Sequence, residues 1–241
     1  MTVTSACAKI TKNYSMRYKM KKILLIGDSI RMGYDRYVKA AFDGVAEVCY
    51  PKDNCMFSGV VLRFLPIWAD ELGCGKELDL IHFNAGLWDD LIMLDQMPLV
   101  SQQTYRENLE RICVEIKLLF PTAKMIFATS TPVLETEADK SQSREGTFKS
   151  YYRRYNKDTE VYNDIAREVV EKHGGAINDL YTLLQNVPSK YHSDKTHYYT
   201  KDGTRLITEA VVSKIEAALN IRGKTLDFDQ YFKEVSEISG Q

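Results

Sequence analysis

The chain has 241 residues, of which 44% are hydrophobic and 27% are charged, a composition typical of a globular protein with one large or two small domains. Its 32 basic and 33 acidic side chains give a formal net charge of −1, which argues against a dedicated binder of nucleic acid or of an anionic membrane. No run approaches the ~20 apolar residues of a membrane span, and the first 20 residues lack the apolar core of a signal peptide. We therefore expect a cytoplasmic protein with neither nucleic acid nor membrane as a partner.

Short apolar runs alternate with amphipathic segments along the chain. The apolar runs predict strands at Ile23–Ile26, Val45–Tyr50, Leu78–Asn84, Lys124–Ser130 and Ala176–Asp179. The amphipathic segments predict helices at Arg31–Phe42, Ser58–Leu72 (kinked or interrupted at Pro66), Thr104–Phe120, Lys157–His173 and Asp202–Leu219. This alternation predicts βαβ units and a parallel sheet covered by helices on both faces.

Three segments lie outside this pattern. Residues 1–20 precede the first strand, and we interpret them as an N-terminal extension to a domain at 21–220. Thr131–Tyr155 is polar and long enough to be a functional loop. Ile221–Gln241 fits no strand–helix unit, so this C-terminal tail is either a short docked helix or disordered.

The five cysteines form no Cys-x-x-Cys pair, which is typical of reduced, mostly buried thiols.

Ligands of such a sheet bind at the carboxyl ends of its strands, near the reversal of strand order. Candidate site residues should therefore follow strands directly. Gly27-Asp28-Ser29 follows the first strand, and Ser29 would open a helix, where free N–H groups and the helix dipole favour negative charge. The structural alternative is that Asp28 or Ser29 is simply an N-cap. Neither the dinucleotide-binding glycine pattern nor the phosphate-binding loop occurs.

A second candidate lies just before the last helix, where Asp194 and His197 are three residues apart. In a turn, this spacing lets the carboxylate reach Nδ1–H of the imidazole, which leaves Nε2 free to accept a proton from a hydroxyl. His192 lies close by and is the alternative base. A metal site would need a third ligand with suitable spacing, and the sequence offers none.

Two more loops follow strands. In His82–Asp90, Asn84, Gly86 and Trp88 form a polar, turn-forming edge, and Asp89 is either part of that edge or a helix cap. In Asn54–Gly59, Gly59 is either a turn glycine or a helix start whose N–H joins that of Ser29 in an oxyanion pocket.

The candidates occur in an order that resembles a known family. Gly27-Asp28-Ser29, Ser58-Gly59, Gly86-Leu87-Trp88-Asp89 and Asp194-Lys195-Thr196-His197 are similar to the first, second, third and fifth sequence blocks of the SGNH (GDSL-type) hydrolases. The first and fifth matches are specific as a pair, and the resemblance spans residues 21–219. It implies an α/β fold, a three-layer α/β/α sandwich with a five-stranded parallel sheet of the flavodoxin-like type.

One position departs from the family pattern. The third block of the family usually reads Gly-x-Asn-Asp, and its asparagine donates to the oxyanion, but here Trp88 stands in that place. Loss of one such donor can cost about 10²–10³ in rate. The Trp88 indole or the Asn84 amide can substitute, and the block is also similar to the Gly-Leu-His-Asp variant of some members.

The resemblance implies a serine esterase that needs no metal or cofactor. Ser29 would be the nucleophile, His197 the base and Asp194 its orienting partner, while the N–H groups of Ser29 and Gly59, with Asn84 or Trp88, would bind the oxyanion. By analogy with the family, the expected substrate is a small acyl ester, specifically an O-acetyl group on a carbohydrate or similar polar molecule. A polar, aromatic set of loop residues also suits a sugar better than a long acyl chain: Trp88, Tyr151, Tyr152, Tyr155 and Tyr198.

Two alternatives stay open from the sequence. The same triad can transfer an acyl group to an acceptor alcohol instead of to water, and Trp88 is also consistent with a non-catalytic binding module. The sequence leaves the oligomeric state open.

Overall fold

Five parallel strands form the centre of the protein, which a computed structural model describes at residues 20–135 and 153–232. The strands are β1 (Lys21–Ile26), β2 (Ala46–Cys49), β3 (Leu80–Phe83), β4 (Lys124–Ala128) and β5 (Ala176–Asn178). Their order across the sheet is β2-β1-β3-β4-β5, and every neighbouring pair is parallel. The strand order therefore reverses between β1 and β3, as in flavodoxin-like folds.

The helices cover both faces of this sheet. They are α1 (Ser29–Ala41), α2 (Ser58–Glu71), α3 (Gln102–Leu119), α4 (Asn156–Lys172), the short α5 (Leu180–Leu184) and α6 (Lys201–Leu219). Helix α2 packs on α3 and α3 on α4, while α1 packs on α6. The predicted three-layer α/β/α fold class is confirmed.

The central strands are apolar because both of their faces are buried. In β1, Leu24 and Ile26 pack into the core beneath α2, α3 and α4. Ile23 and Leu25 point the other way, into the core beneath α1 and α6. All four side chains are fully buried, as expected for alternate residues of a parallel strand covered on both sides. This double burial explains why the strand reads as a continuous apolar run instead of an alternating one.

Several helix boundaries differ from the prediction. Helix α1 begins at Ser29, two residues earlier than expected. Helix α2 runs from Ser58 to Glu71 with Pro66 inside it, so the expected interruption is wrong. Helix α5 and a 3₁₀ turn at Ser189–Tyr191 were not predicted, because segments of three to five residues are too short to show a period. None of the described helices is long and apolar enough to cross a bilayer.

Part of the C-terminal tail docks on α1. Residues 228–232 are helical, and the Phe228 ring stacks on Tyr37 of α1 with 5.5 Å between centroids. The backbone N–H of Lys224 also donates to the carbonyl of Ala41. The docked-helix interpretation therefore applies to the described part of the tail. The predicted extension, most of the predicted functional loop and the end of the tail lie at residues 1–19, 136–152 and 233–241, outside the described residues.

Phe228→Ala tests whether the tail stabilises the domain. Phe228 is 6% exposed, so removing its ring should lower the free energy of unfolding by about 3 kcal/mol, as for other buried phenylalanines. Phe64→Ala is the matched control, because Phe64 is 39% exposed, and its effect should stay below about 1 kcal/mol. Chemical denaturation of both variants measures the difference, and equal effects would contradict a docked tail.

Candidate active site

The turn after β1 places Ser29 at the first position of α1. Asp28 is the N-cap of this helix, and its carboxylate accepts a hydrogen bond from the backbone N–H of Ile30 at 2.9 Å. Gly27 lies against Asn84, so a Cβ at position 27 would come within 1.9 Å of the Asn84 Oδ1 atom. Glycine is therefore required at the strand end, and the N-cap role belongs to Asp28, which leaves the Ser29 hydroxyl free for chemistry.

Asp194 folds the loop before α6 into a turn that orients His197. One carboxylate oxygen accepts hydrogen bonds from the backbone N–H groups of Thr196 and His197, at 2.7 and 2.8 Å. The other oxygen lies 2.7 Å from Nδ1 of the His197 ring. Burial raises the pKa of Asp194, but these hydrogen bonds outweigh burial and hold the pKa below its ordinary value.

The two turns bring serine and histidine together. The Nε2 atom of His197 lies 2.8 Å from the Ser29 Oγ atom, although the two residues are 168 positions apart. With Nδ1–H donating to Asp194, Nε2 can accept the hydroxyl proton of Ser29. His192 instead packs on the Tyr198 ring, with 4.0 Å between centroids. The geometry thus selects His197 over His192 as partner of the serine.

Tyr199 holds this pair from the side and was not singled out in the sequence. Its ring stacks on His197 with 4.7 Å between centroids, and its hydroxyl donates to the backbone carbonyl of Ser29 at 2.5 Å. A Cβ at Gly33 would lie 2.6 Å from the Tyr199 ring. A glycine one turn along α1 therefore makes room for a tyrosine that contacts both members of the pair.

Gly86 has a backbone role in the turn after β3. Its φ is +156°, and a Cβ there would lie 2.1 Å from the Ser130 Oγ atom, so a side chain does not fit. The Tyr105 hydroxyl donates to the carbonyl of Ala85 at 2.7 Å and fixes the same turn. The position thus requires glycine for packing, and its predicted substrate contact stays a prediction.

Asp89 joins the turn after β3 to the start of α2. Its carboxylate accepts hydrogen bonds from the backbone N–H of Ser58, at 3.1 Å to each oxygen, and from the Ser58 hydroxyl. Asn108 donates to that hydroxyl at 2.9 Å. Burial raises the pKa of Asp89 to about 7, against the opposing effect of these hydrogen bonds. Asp89 therefore caps α2, the helix before it in the chain.

The Asn84 side chain lies against the turn that carries Ser29. The residue is 4% exposed, its Oδ1 atom faces Gly27, and its amide lowers the pKa of Asp28, whose burial raises it. This placement makes Asn84 a support for Asp28. Its predicted oxyanion role stays a prediction.

A pocket of about 480 Å³ opens beside Ser29, within the range of about 300–1,000 Å³ of small-molecule sites. The described residues that line it are Ser29, Met56, Phe57, Leu87, Trp88, Leu91, Met93, Leu99, Arg154, Thr196 and His197. Of the residues predicted to bind substrate or oxyanion, Trp88 is in this lining, whereas Gly59, Asn84 and Gly86 are not. Most of the wall is apolar.

One wall of the pocket is held by a buried arginine on α1. Arg31 pairs with Asp35 and donates to the backbone carbonyls of Pro51 and Asp53, the latter at 2.6 Å. These bonds fix the segment that leads to Met56, which adopts a left-handed backbone with a φ of 53°. The sequence pattern gave no signal for Met56, since this conformation is uncommon outside glycine and asparagine.

No family model matches the sequence, and no curated protein matches it either. Solved structures do match. A lipase/acylhydrolase from Enterococcus faecalis is 21% identical with a TM-score of 0.63, and the match covers 86% of this chain and 100% of that one. A psychrotrophic esterase from Pseudoalteromonas is 14% identical with a TM-score of 0.58, over 83% of this chain and 99% of that one.

A catalytic mutant of the acetylxylan esterase of Geobacillus stearothermophilus matches as well. It is 13% identical with a TM-score of 0.56, and the match covers 81% of this chain and 94% of that one. The chain has the fold of the SGNH hydrolases. The SGNH fold thus accounts for the sheet order and for the edge of the sheet at which Ser29, Asp194 and His197 meet.

Covalent labelling tests the reactivity of this arrangement. A fluorophosphonate should modify Ser29, because His197 can remove the hydroxyl proton as phosphorus is attacked. Ser29→Ala and His197→Ala should each lose most labelling, while His192→Ala keeps it. Intact-mass spectrometry measures the product, and circular dichroism checks the fold of each variant. Severe loss in His192→Ala alone would identify the other histidine as the base.

Proposed function

We propose that the protein is a serine esterase that hydrolyses small acyl esters. The observation that carries the proposal is the 2.8 Å contact between Ser29 Oγ and His197 Nε2, with Asp194 2.7 Å from the opposite ring nitrogen. The esterases and the lipase among the similar solved structures support ester hydrolysis as the reaction class. The apolar pocket beside the serine offers a place for the acyl group.

In the proposed reaction, Ser29 Oγ attacks the ester carbonyl carbon while its proton passes to His197 Nε2. Asp194 stabilises the imidazolium that forms. The tetrahedral intermediate collapses, the bond to the alcohol oxygen breaks, and His197 returns the proton to the departing alcohol. Water then attacks the acyl-enzyme, giving its proton to His197, and the carboxylic acid leaves as the Ser29 hydroxyl is restored.

Negative charge on the carbonyl oxygen needs donors near the start of α1. The N–H of Ser29 lies in the first turn of that helix, where the helix dipole also favours negative charge. Trp88 lines the pocket and its indole carries one further N–H. We propose the N–H groups of Ser29 and Trp88 as the oxyanion donors. The other two predicted donors, the N–H of Gly59 and the Asn84 amide, do not line the pocket.

The substrate predicted from the sequence is an O-acetyl ester of a carbohydrate or similar polar molecule. Of the aromatic residues behind that prediction, Trp88 lines the pocket, but Tyr198 is buried and its hydroxyl donates to the carbonyl of Pro132 at 2.9 Å. Tyr151 and Tyr152 lie outside the described residues. The apolar wall favours an acyl group that buries methylene groups, so we propose small acyl esters and keep acetylated sugars as a class to be tested.

Rates on a homologous ester series test this function. Hydrolysis of 4-nitrophenyl acetate, butyrate and octanoate is measured beside acetylated sugars. Each buried methylene contributes about 0.8 kcal/mol, so kcat/KM for butyrate should exceed that for acetate by roughly tenfold. Ser29→Ala should lose nearly all activity while its circular dichroism is unchanged. More than half of the wild-type kcat/KM in this variant would overturn the assignment.

The same assay separates the alternatives. Rates that rise on addition of an acceptor alcohol, with transfer of the acyl group to it, would identify an acyltransferase. A wild type that is inactive on every ester would favour a binding module.

The acid side of the pH profile tests the histidine base. Activity should fall as His197 gains a proton, because only the neutral ring accepts from Ser29. The lowered pKa of Asp194 keeps its carboxylate ionised from pH 8 down to pH 5. We therefore expect kcat/KM, measured from pH 8 down to pH 5, to fall on the acid side. A flat profile would count against a histidine base.

Stability at the same pH values is the control. Burial raises the pKa of Asp89 and of Asp90 to about 7, so the folded state binds these protons more tightly than the unfolded chain does. By linkage, these two carboxyls favour the folded state as the pH falls toward the ordinary carboxyl range. Protonation of these two carboxyls should therefore not lower the melting temperature over the pH range in which activity declines. Thermal melts at the same pH values check this.

A further inference from the structure

Arg154 places a permanent positive charge in the apolar pocket. Among the described residues that line the pocket beside Ser29, it is the only lysine or arginine. Its side chain is 18% exposed, and burial lowers its pKa. Because the ordinary pKa of arginine is very high, the guanidinium still stays charged. The proposed esterase reaction does not use this charge.

The arginine is anchored at one end only. Its Nε atom donates to the backbone carbonyl of Leu87, and its Cζ atom lies 6.0 Å from the centre of the Trp88 ring. Within the described ranges, the two terminal guanidinium nitrogens make no hydrogen bond. The side chain is therefore fixed in position by the turn after β3 while four of its five N–H groups are left to bind something else.

Arg154 lies near three carboxylates, but it makes no hydrogen bond to any of them. Among the residues that the structure describes, the nearest carboxylate oxygen is Oδ1 of Asp90, 3.8 Å from Nε, which is too far for a hydrogen bond. The other oxygen of Asp90 accepts from the Thr159 hydroxyl at 2.6 Å. Burial raises the pKa of Asp90 to about 7, while the Thr159 hydrogen bond and the Arg154 charge act to lower it. Asp28 and Asp194 act on the guanidinium electrostatically without a hydrogen bond.

We propose that Arg154 binds a carboxylate on the substrate, so that the preferred ester carries an anionic group a few atoms from the scissile carbonyl. A guanidinium binds a carboxylate through two parallel hydrogen bonds, and the apolar wall strengthens this pair by lowering the local dielectric. The aliphatic part of the substrate then lies along the leucine and methionine side chains of the pocket. This inference rests on the proposed esterase function and names its substrate class.

A pair of esters of matched shape tests the proposal. Mono-4-nitrophenyl glutarate and 4-nitrophenyl valerate differ at the end of the acyl chain, where a carboxylate replaces a methyl group. Wild-type kcat/KM should favour the glutarate by about tenfold or more, as a charged hydrogen-bonded pair provides. The preference should shrink at high salt. Spontaneous hydrolysis is measured with Ser29→Ala protein and subtracted.

Variants at position 154 localise the effect. Arg154→Met should lower kcat/KM for the glutarate by about tenfold or more while valerate changes by less than about threefold, and Arg154→Lys should retain part of the preference. Arg205→Met is the matched control, since Arg205 lies exposed on α6 and pairs with Glu209. It should leave both rates unchanged.

Several outcomes would overturn the proposal. A wild type that prefers valerate contradicts it directly, even if the Arg154 variants fail to fold. Equal losses on both esters in a folded Arg154→Met would show instead that Arg154 stabilises the oxyanion or the loop. If the wild type hydrolyses neither ester, the esterase function fails, and a labelling assay then tests the carboxylate site by itself. Free glutarate should slow fluorophosphonate labelling of Ser29 in the wild type but not in Arg154→Met. Absence of protection then overturns the carboxylate site as well.

Discussion

The reversal of strand order between β1 and β3 is the constraint on which the site depends. At this point the chain leaves the two strands toward opposite faces of the sheet, so a crevice opens at their carboxyl ends. The turn after β1 brings Ser29 to one side of the crevice, and the turn after β3 brings Trp88 and Asp89 to the other. The loop before α6 then needs only to reach the same edge to deliver His197.

Buried charge is concentrated beneath this crevice. Asp28, Asp89 and Asp90 are at most 1% exposed, and Arg31 is fully buried. Burying such groups is costly unless hydrogen bonds or ion pairs compensate. Asp28 and Asp89 cap helices, and Arg31 ties the loop after β2 to α1. The buried charged groups thus lower the stability of the fold at this edge of the sheet, but they hold the loops in fixed positions, which a preorganised site requires.

Local patterns in the sequence predicted the strands and helices of the fold, and the family resemblance pointed to Ser29, Asp194 and His197, which the structure brings together. Apolar runs located all five strands, and the spacing of Asp194 and His197 reflects a turn in which one carboxylate binds two N–H groups and the ring. Arg154 and Tyr199 were missed because their roles depend on contacts between distant segments. The direction of the Asn84 side chain was equally inaccessible, since it follows a strand end, where the alternation of side chains stops.

The contact between Gly27 and Asn84 has a consequence for sequence divergence. Because the Asn84 side chain occupies the space that a Cβ at position 27 would need, neither position can change freely without the other. A relative with alanine at 27 should carry a smaller residue at 84, so the two sites are expected to vary together. Steric contacts of this kind constrain a few positions while the rest of the sequence is free to diverge. This fits a fold that is shared with solved structures at 13–21% identity, although no family model matches the sequence.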